Sequence, residues 1–189
     1  MALLRPIALV GRGLWRWRWM SILLLASAAK LPAQTAISTE YQIKAVFLYN
    51  FARFVDWPAK VFPDSSAPVV IGVLGEDPFG SYLDETVRGE KVNGHALNVQ
   101  RYRKVSDIKS CQVLFISRSE NGRLDQIVAS LRGRSILTVG ETDDFTARGG
   151  MIRLATENNK VRMRINLEVV KAANLRISSK LLSVAEIEH

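Results

Sequence analysis

The sequence predicts a three-layer α/β sandwich whose sheet is mostly parallel and carries an antiparallel C-terminal hairpin. Two continuous apolar runs, Val69–Leu74 and Gln112–Ser117, are typical of strands buried on both faces. Ser135–Gly140 has the same character, and segments with helical spacing separate the three runs. Strands that alternate with helices favour crossover connections, and therefore a parallel, Rossmann-like sheet.

The first element is predicted as a helix over residues 39–56. Thr39 and Gln42 have the spacing of a capping box, and Trp57–Pro58 ends the segment because a residue before proline avoids the α region. The apolar positions that recur at helical spacing are Ile43, Phe47, Phe51, Phe54 and Val55. This aromatic face is expected to pack across the sheet.

Three later features have local signals. Asp77–Pro78 is predicted to open the second helix, with aspartate as cap and proline in the first turn. The turn at residues 157–159 joins two strands, most simply as an antiparallel hairpin. A short helix over Leu167–Ala173 is expected to be capped by Asn166 and to stop at Asn174 in a left-handed conformation.

Residues 1–33 have the pattern of a secretory signal peptide. A basic region is followed by the apolar run Met20–Ala29 and by small residues, and that run is too short to span a bilayer comfortably. We expect a mature chain from about Gln34, with residues 34–189 as a single exported domain; an uncleaved N-terminal anchor is the alternative.

Export changes the meaning of the charge. The full chain has a net charge of +8, but five of its 26 basic residues precede Gln34, and the mature part retains 21 basic and 18 acidic residues. A balance of +3 gives no reason to expect nucleic-acid binding. The single cysteine, Cys111, cannot form an intramolecular disulfide and is expected to be a buried, inert thiol.

The residues offer little catalytic chemistry. His95 and His189 are too few for a metal site, and no nucleophile elbow surrounds Ser178 or Ser179. The loop at residues 74–80 lacks the glycine pattern of a phosphate site and carries two acids. The sequence therefore predicts a protein that is not an enzyme and that needs no cofactor or metal.

A ligand crevice is one hypothesis for the carboxyl ends of the parallel strands, where doubly wound sheets bind ligands. Its candidate residues are polar and mostly acidic: Glu76, Asp77, Ser117, Asp143 and Asp144. Such a set suits a small cationic or zwitterionic ligand. The alternative is that these are ordinary loop residues, with Asp143 and Asp144 capping a short helical turn.

Several segments together resemble the YfiR family. They are residues 41–58 (YQIKAVFLYNFARFVDWP), 111–117 (CQVLFIS), 149–152 (GGMI), 161–168 (VRMRINLE) and 175–182 (LRISSKLL). The resemblance implies a periplasmic, dimeric α/β protein without catalytic activity. Studied members repress a YfiN-type inner-membrane diguanylate cyclase by binding its periplasmic domain, which lowers cyclic di-GMP and biofilm formation. Those members carry cysteine pairs, so redox switching does not transfer to a chain with Cys111 alone.

A basic strand face is the strongest candidate for contact with such a partner. Lys160, Arg162 and Arg164 alternate with apolar residues and point to one side of a strand. Arginine suits bidentate contacts with carboxylates on a partner. The other candidate contacts are Arg53, Trp57 and Lys180. A small-molecule-binding module that serves another membrane sensor or transport system is the alternative function.

Overall fold

The computed structural model describes residues 38–158 and 160–188, and these described residues form one compact unit. The signal peptide predicted over residues 1–33 lies outside the described residues. The prediction of an α/β protein is confirmed, and the sheet is mixed. The helices are α1 (Thr39–Phe54), α2 (Ser81–Val87), α3 (Leu124–Leu131), α4 (Leu167–Ala172) and α5 (Ser179–Leu182).

Within the described residues, eight strands form one mixed sheet and two short strands form a separate ribbon. The ribbon pairs β1 (Val55–Asp56) with β9 (Arg176–Ile177) in antiparallel fashion. The sheet consists of β2 (Val69–Leu74), β3 (Lys91–Val92), β4 (His95–Tyr102), β5 (Val113–Ile116), β6 (Leu137–Gly140), β7 (Ile152–Glu157), β8 (Lys160–Asn166) and β10 (Glu186–Glu188).

The strands lie in the order β10-β8-β7-β6-β5-β2-β4-β3. The central five, from β4 to β7, are parallel, and the direction of winding reverses between β2 and β5. At one edge β3 is antiparallel to β4, while at the other β8 is antiparallel to β7 and β10 runs parallel to β8. The point of reversal is where ligands of doubly wound sheets bind.

The central strands are buried on both faces, as their continuous apolar sequences indicate. Val113 and Phe115 of β5 belong to the core that contains α1 and α2, whereas Leu114 and Ile116 belong to the core that contains α3. Because side chains alternate along a strand, these two cores lie on opposite sides of the sheet.

Helix α1 differs from its prediction in its end and in its buried face. It stops at Phe54, since Val55–Asp56 pairs with β9, and Ser38 rather than Thr39 is the N-cap, without a side-chain cap bond. Ala45, Leu48, Phe51 and Ala52 face the core, while Ile43 and Val46 are exposed. The small alanines let the helix approach the sheet closely. The predicted apolar stripe was therefore rotated from the true one.

The capping predictions had mixed outcomes. Asp77 does not open α2, because its Oδ1 accepts a hydrogen bond from Phe79 N at 2.8 Å in a turn, and the helix begins four residues later. Residues 143–147 form turns, and Arg148 N donates to Asp144 O at 2.9 Å, which gives the single helical turn that the sequence predicts. Asn166 Oδ1 accepts from Val169 N at 3.2 Å, and Asn174 has a φ of 58°, so both ends of α4 are also confirmed.

Candidate functional site

The reversal point between β2 and β5 is filled by the protein itself. Gly75, with a φ of +92°, ends β2, and a Cβ added there would lie 2.5 Å from Ser119 Oγ. Ser119 Oγ also accepts a hydrogen bond from Glu76 N at 3.0 Å. Ser117 is buried and caps this turn by accepting from Ser119 N at 3.4 Å. The 3₁₀ turn after β5 thus occupies the space in which a ligand of this fold class would lie.

The five candidate crevice residues have different partners: Glu76 and Ser117 lie at the turn just described, whereas the three aspartates make separate contacts. Asp77 pairs with Arg101 on β4 at 2.9 Å, and Arg101 also pairs with Asp84 at 2.5 Å. The Arg101 guanidinium lowers the pKa of Asp84, and the two carboxylates raise the pKa of Arg101. Asp144 pairs with Arg148 at 3.3 Å. Of the five, Asp143 alone lines the polar cavity described next.

A polar cavity of about 330 Å³ lies where β7 extends beyond the end of β6. Its charged lining consists of three cations (Lys44, Arg118 and Arg153) and three anions (Glu40, Glu141 and Asp143). We call this set the polar cavity. Helix α1 supplies Glu40 and Lys44, and the residue after β6 supplies Glu141, so the cavity lies at the carboxyl end of the parallel sheet.

Its floor is a desolvated ion pair. Lys44 Nζ lies 2.5 Å from Glu141 Oε2 and 2.5 Å from Glu40 Oε1, and the side chains of Lys44 and Glu141 are 1% and 2% exposed. Tyr41 donates its hydroxyl to Glu141 Oε1 at 3.1 Å. Because buried charges are tolerated only when they are paired and hydrogen-bonded, this network holds the start of α1 on the end of β6.

The network changes the acidity of two of its members. Burial, together with the negative charge of Glu141, raises the pKa of Tyr41 to about 12. Burial also acts to raise the pKa of Glu40, but hydrogen bonds from Lys44 and Thr156 outweigh it and lower that pKa. At neutral pH the network therefore holds an ionised Glu40 and a neutral Tyr41 hydroxyl that donates.

Sequence reasoning missed this network. One signal was present, because Lys44 is followed by Leu48 and Phe51 at spacings of four and seven, which places a lysine in the buried stripe of α1. Its partner Glu141 is 97 residues away along the chain. No local pattern connects residues so far apart.

The candidate partner contacts fall into two groups. Arg53, Trp57 and Lys180 gather around the β1–β9 ribbon, where Ser178 N also donates to Phe54 O at 2.9 Å. Arg53 and Lys180 are exposed. Trp57 is half-buried, and its Nε1 donates to Gln112 O at 3.2 Å, so its ring is held against the core.

Arg162 and Arg164 lie on the other face of the sheet, because the alternate residues Met163 and Ile165 belong to the core with α1. Arg164 is already paired with Glu186 at 3.0 Å, Glu157 at 3.5 Å and Glu188 at 3.8 Å. Arg162 is exposed and has no ion pair with any residue that the structure describes. It is therefore the freer of the two for a partner.

Cys111 lies just before β5 and is 4% exposed. Burial raises the pKa of its thiol to about 12. A thiol that is neither accessible nor ionised does not react readily, which agrees with the expectation of an inert residue.

The described residues define an α/β domain that carries ion-pair networks at its surface and at one end of the sheet. Over residues 38–158 and 160–188 no group of three or more His, Cys, Asp or Glu side chains is arranged to hold a metal ion. Helices of the length and apolarity that a bilayer span requires are also absent from these ranges. The chain matches the YfiR/HmsC-like family over residues 41–186, and it belongs to that family.

Proposed function

We propose that this chain is a periplasmic, non-enzymatic regulator that binds the periplasmic domain of an inner-membrane diguanylate cyclase and inhibits it. Membership of the YfiR/HmsC-like family over residues 41–186 is the observation that carries the proposal. Binding would lower cyclic di-GMP and biofilm formation. Another membrane sensor is the alternative partner, and the protein acts as a homodimer.

We also propose that the fold is a three-layer, Rossmann-like sandwich. The two cores on opposite sides of the sheet support this description of the fold.

The first contact surface of the proposal is the ribbon surface, defined by Arg53, Trp57, Arg176 and Lys180. Its three cations are exposed, and none of them has a salt bridge to the described part of the chain. Arg53 lies over the rings of Tyr49 and Phe54, at 5.6 and 5.7 Å from their centroids. Stacking fixes the guanidinium without neutralising it, so the surface suits an acidic patch on the partner.

The second contact is Arg162, on the opposite side of the sheet. Arg164 is its matched comparison, because the two share a strand face but only Arg164 is neutralised by neighbouring glutamates. A partner that binds the basic face of this strand would therefore depend on Arg162. Exposed charge pairs mainly set orientation and association rate.

The test is capture of the full-length cyclase from detergent-solubilised membranes by the purified regulator. Arg53→Glu with Lys180→Glu, and separately Arg162→Glu, should each reduce capture, whereas Arg103→Glu should not, since Arg103 is exposed and lies outside both contacts. Unchanged capture by all charge-reversal variants would remove both surfaces from the proposal. Failure of the wild-type protein to capture the cyclase would remove the partner itself.

A further inference from the structure

One arginine of the polar cavity is buried without adequate partners. Arg153 is 8% exposed, and its Nε donates no hydrogen bond to any described residue. Its Nη2 contacts the Asp143 carboxylate, but the Asp143 side chain is 96% exposed and stays hydrated. A buried guanidinium whose counterion is fully solvated and whose second donor is unused carries an unmet desolvation cost.

The unused donor has a particular geometry. Nε and Nη2 form one edge of the guanidinium, with two parallel N–H groups that match the two oxygens of a carboxylate. Asp143 takes one of the two. The neighbouring Arg118 is 70% exposed and only loosely held, with its Nε at 3.7 Å from Glu141 Oε1. The unused Nε–H of Arg153 and the largely exposed Arg118 can therefore bind an added anion.

Two of the cavity's three acids, Glu40 and Glu141, are held mainly by Lys44 and make no ion pair with Arg153. Lys44 lies 2.5 Å from both Glu40 and Glu141 and holds their carboxylates. Asp143, on an exposed turn, is the one acid at this cavity that contacts Arg153. The cavity volume of about 330 Å³ equals roughly eleven water volumes at about 30 Å³ each, enough for a small organic acid.

We infer that the polar cavity binds a small carboxylate, which takes the Nε–Nη2 edge of Arg153 from Asp143 and is held at the cavity mouth by Arg118. This inference is independent of the proposed cyclase partner. In this inference the Asp143 carboxylate occupies the ligand's position on Arg153 in the unliganded protein. Asp143 leaves Arg153 when the ligand carboxylate binds.

Because Asp143 competes with the ligand for Arg153, its removal should strengthen ligand binding, and the test measures that change. Succinate binding is measured by calorimetry and by thermal shift on the full-length protein. Asp143→Asn removes the competitor and should tighten succinate binding about tenfold, whereas Arg153→Gln should weaken it at least about tenfold. Arg118→Gln should weaken it less, and because Arg118 is largely exposed this variant keeps the test valid if Arg153→Gln fails to fold.

Arg148→Gln is the matched control. Arg148 contacts the adjacent acid Asp144, but its Nε and Nη2 already donate to Asp125 at 2.8 and 3.1 Å. This variant should leave succinate binding unchanged. Weaker or unchanged binding in Asp143→Asn would overturn the inference, as would absence of succinate binding to the wild type. Tighter binding of inorganic phosphate than of succinate would also overturn it, because the guanidinium edge accepts either oxyanion and the ligand class would then be a phosphate.

Discussion

Replacement of Lys44 by methionine tests whether the ion-pair network holds α1 on the sheet. The change removes an ammonium that lies 2.5 Å from two carboxylates, one of them on a side chain that is 2% exposed. Removal of one partner from a buried pair costs about 3–5 kcal/mol. We expect about 3 kcal/mol, because methionine preserves most of the volume and Tyr41 still donates to Glu141.

The assay is urea unfolding followed by circular dichroism. Lys171→Met is the matched control: Lys171 pairs with Glu168 at 3.4 Å on a helix, but both side chains are about 70% exposed. It should cost no more than about 0.5 kcal/mol. Adding Glu141→Met to Lys44→Met should recover at least about 1 kcal/mol, since no uncompensated buried carboxylate remains. Equal losses for Lys44→Met and Lys171→Met would refute the reasoning.

Four other predictions follow from single contacts. Native protein should not react with a thiol reagent at pH 8, and one thiol should appear on unfolding, because Cys111 is buried with a raised pKa; reaction at the same rate in both states would contradict this. Arg164→Ala should lower the free energy of unfolding by about 1–2 kcal/mol, since three glutamates lose their shared cation, and an unchanged urea midpoint would refute it. Gly140→Ala should cost at least about 2 kcal/mol in the same assay, because the added methyl would meet the buried ring of Phe145; Gly122→Ala, where the space is open, is its control. Glu40 has a folded pKa below 4.5, so its contribution to stability is complete above that pH and is lost as the pH falls through the folded pKa; Glu40→Gln should flatten the acid limb of stability against pH, and an identical limb would count against the network.

Local sequence patterns predicted the features whose causes are local. The apolar runs identified the central strands because strands buried on both faces need little else. Asn166 and Asn174 were recognised as the ends of α4, since a cap and a left-handed stop each depend on a few neighbouring residues.

Features that depend on contacts between distant parts of the chain could not be predicted from local sequence patterns. Glu141 meets Lys44 across 97 positions, and Arg164 is neutralised by Glu186 and Glu188 because β10 returns beside β8. Neither contact has a local signature. The basic strand therefore looked more available than it is, and the polar cavity did not emerge as a single place.

The most direct test of the proposed function is cyclase activity in membrane vesicles, with the purified regulator added to the periplasmic side. The cyclase to be tested is an inner-membrane diguanylate cyclase with a periplasmic domain from the same organism, chosen first from the genes beside the one that encodes this chain. We expect cyclic di-GMP synthesis to fall in a saturable manner with wild-type protein, and Arg53→Glu with Lys180→Glu to shift the curve to higher concentration. Synthesis that is unchanged at saturating regulator would contradict the proposal that this chain inhibits a diguanylate cyclase.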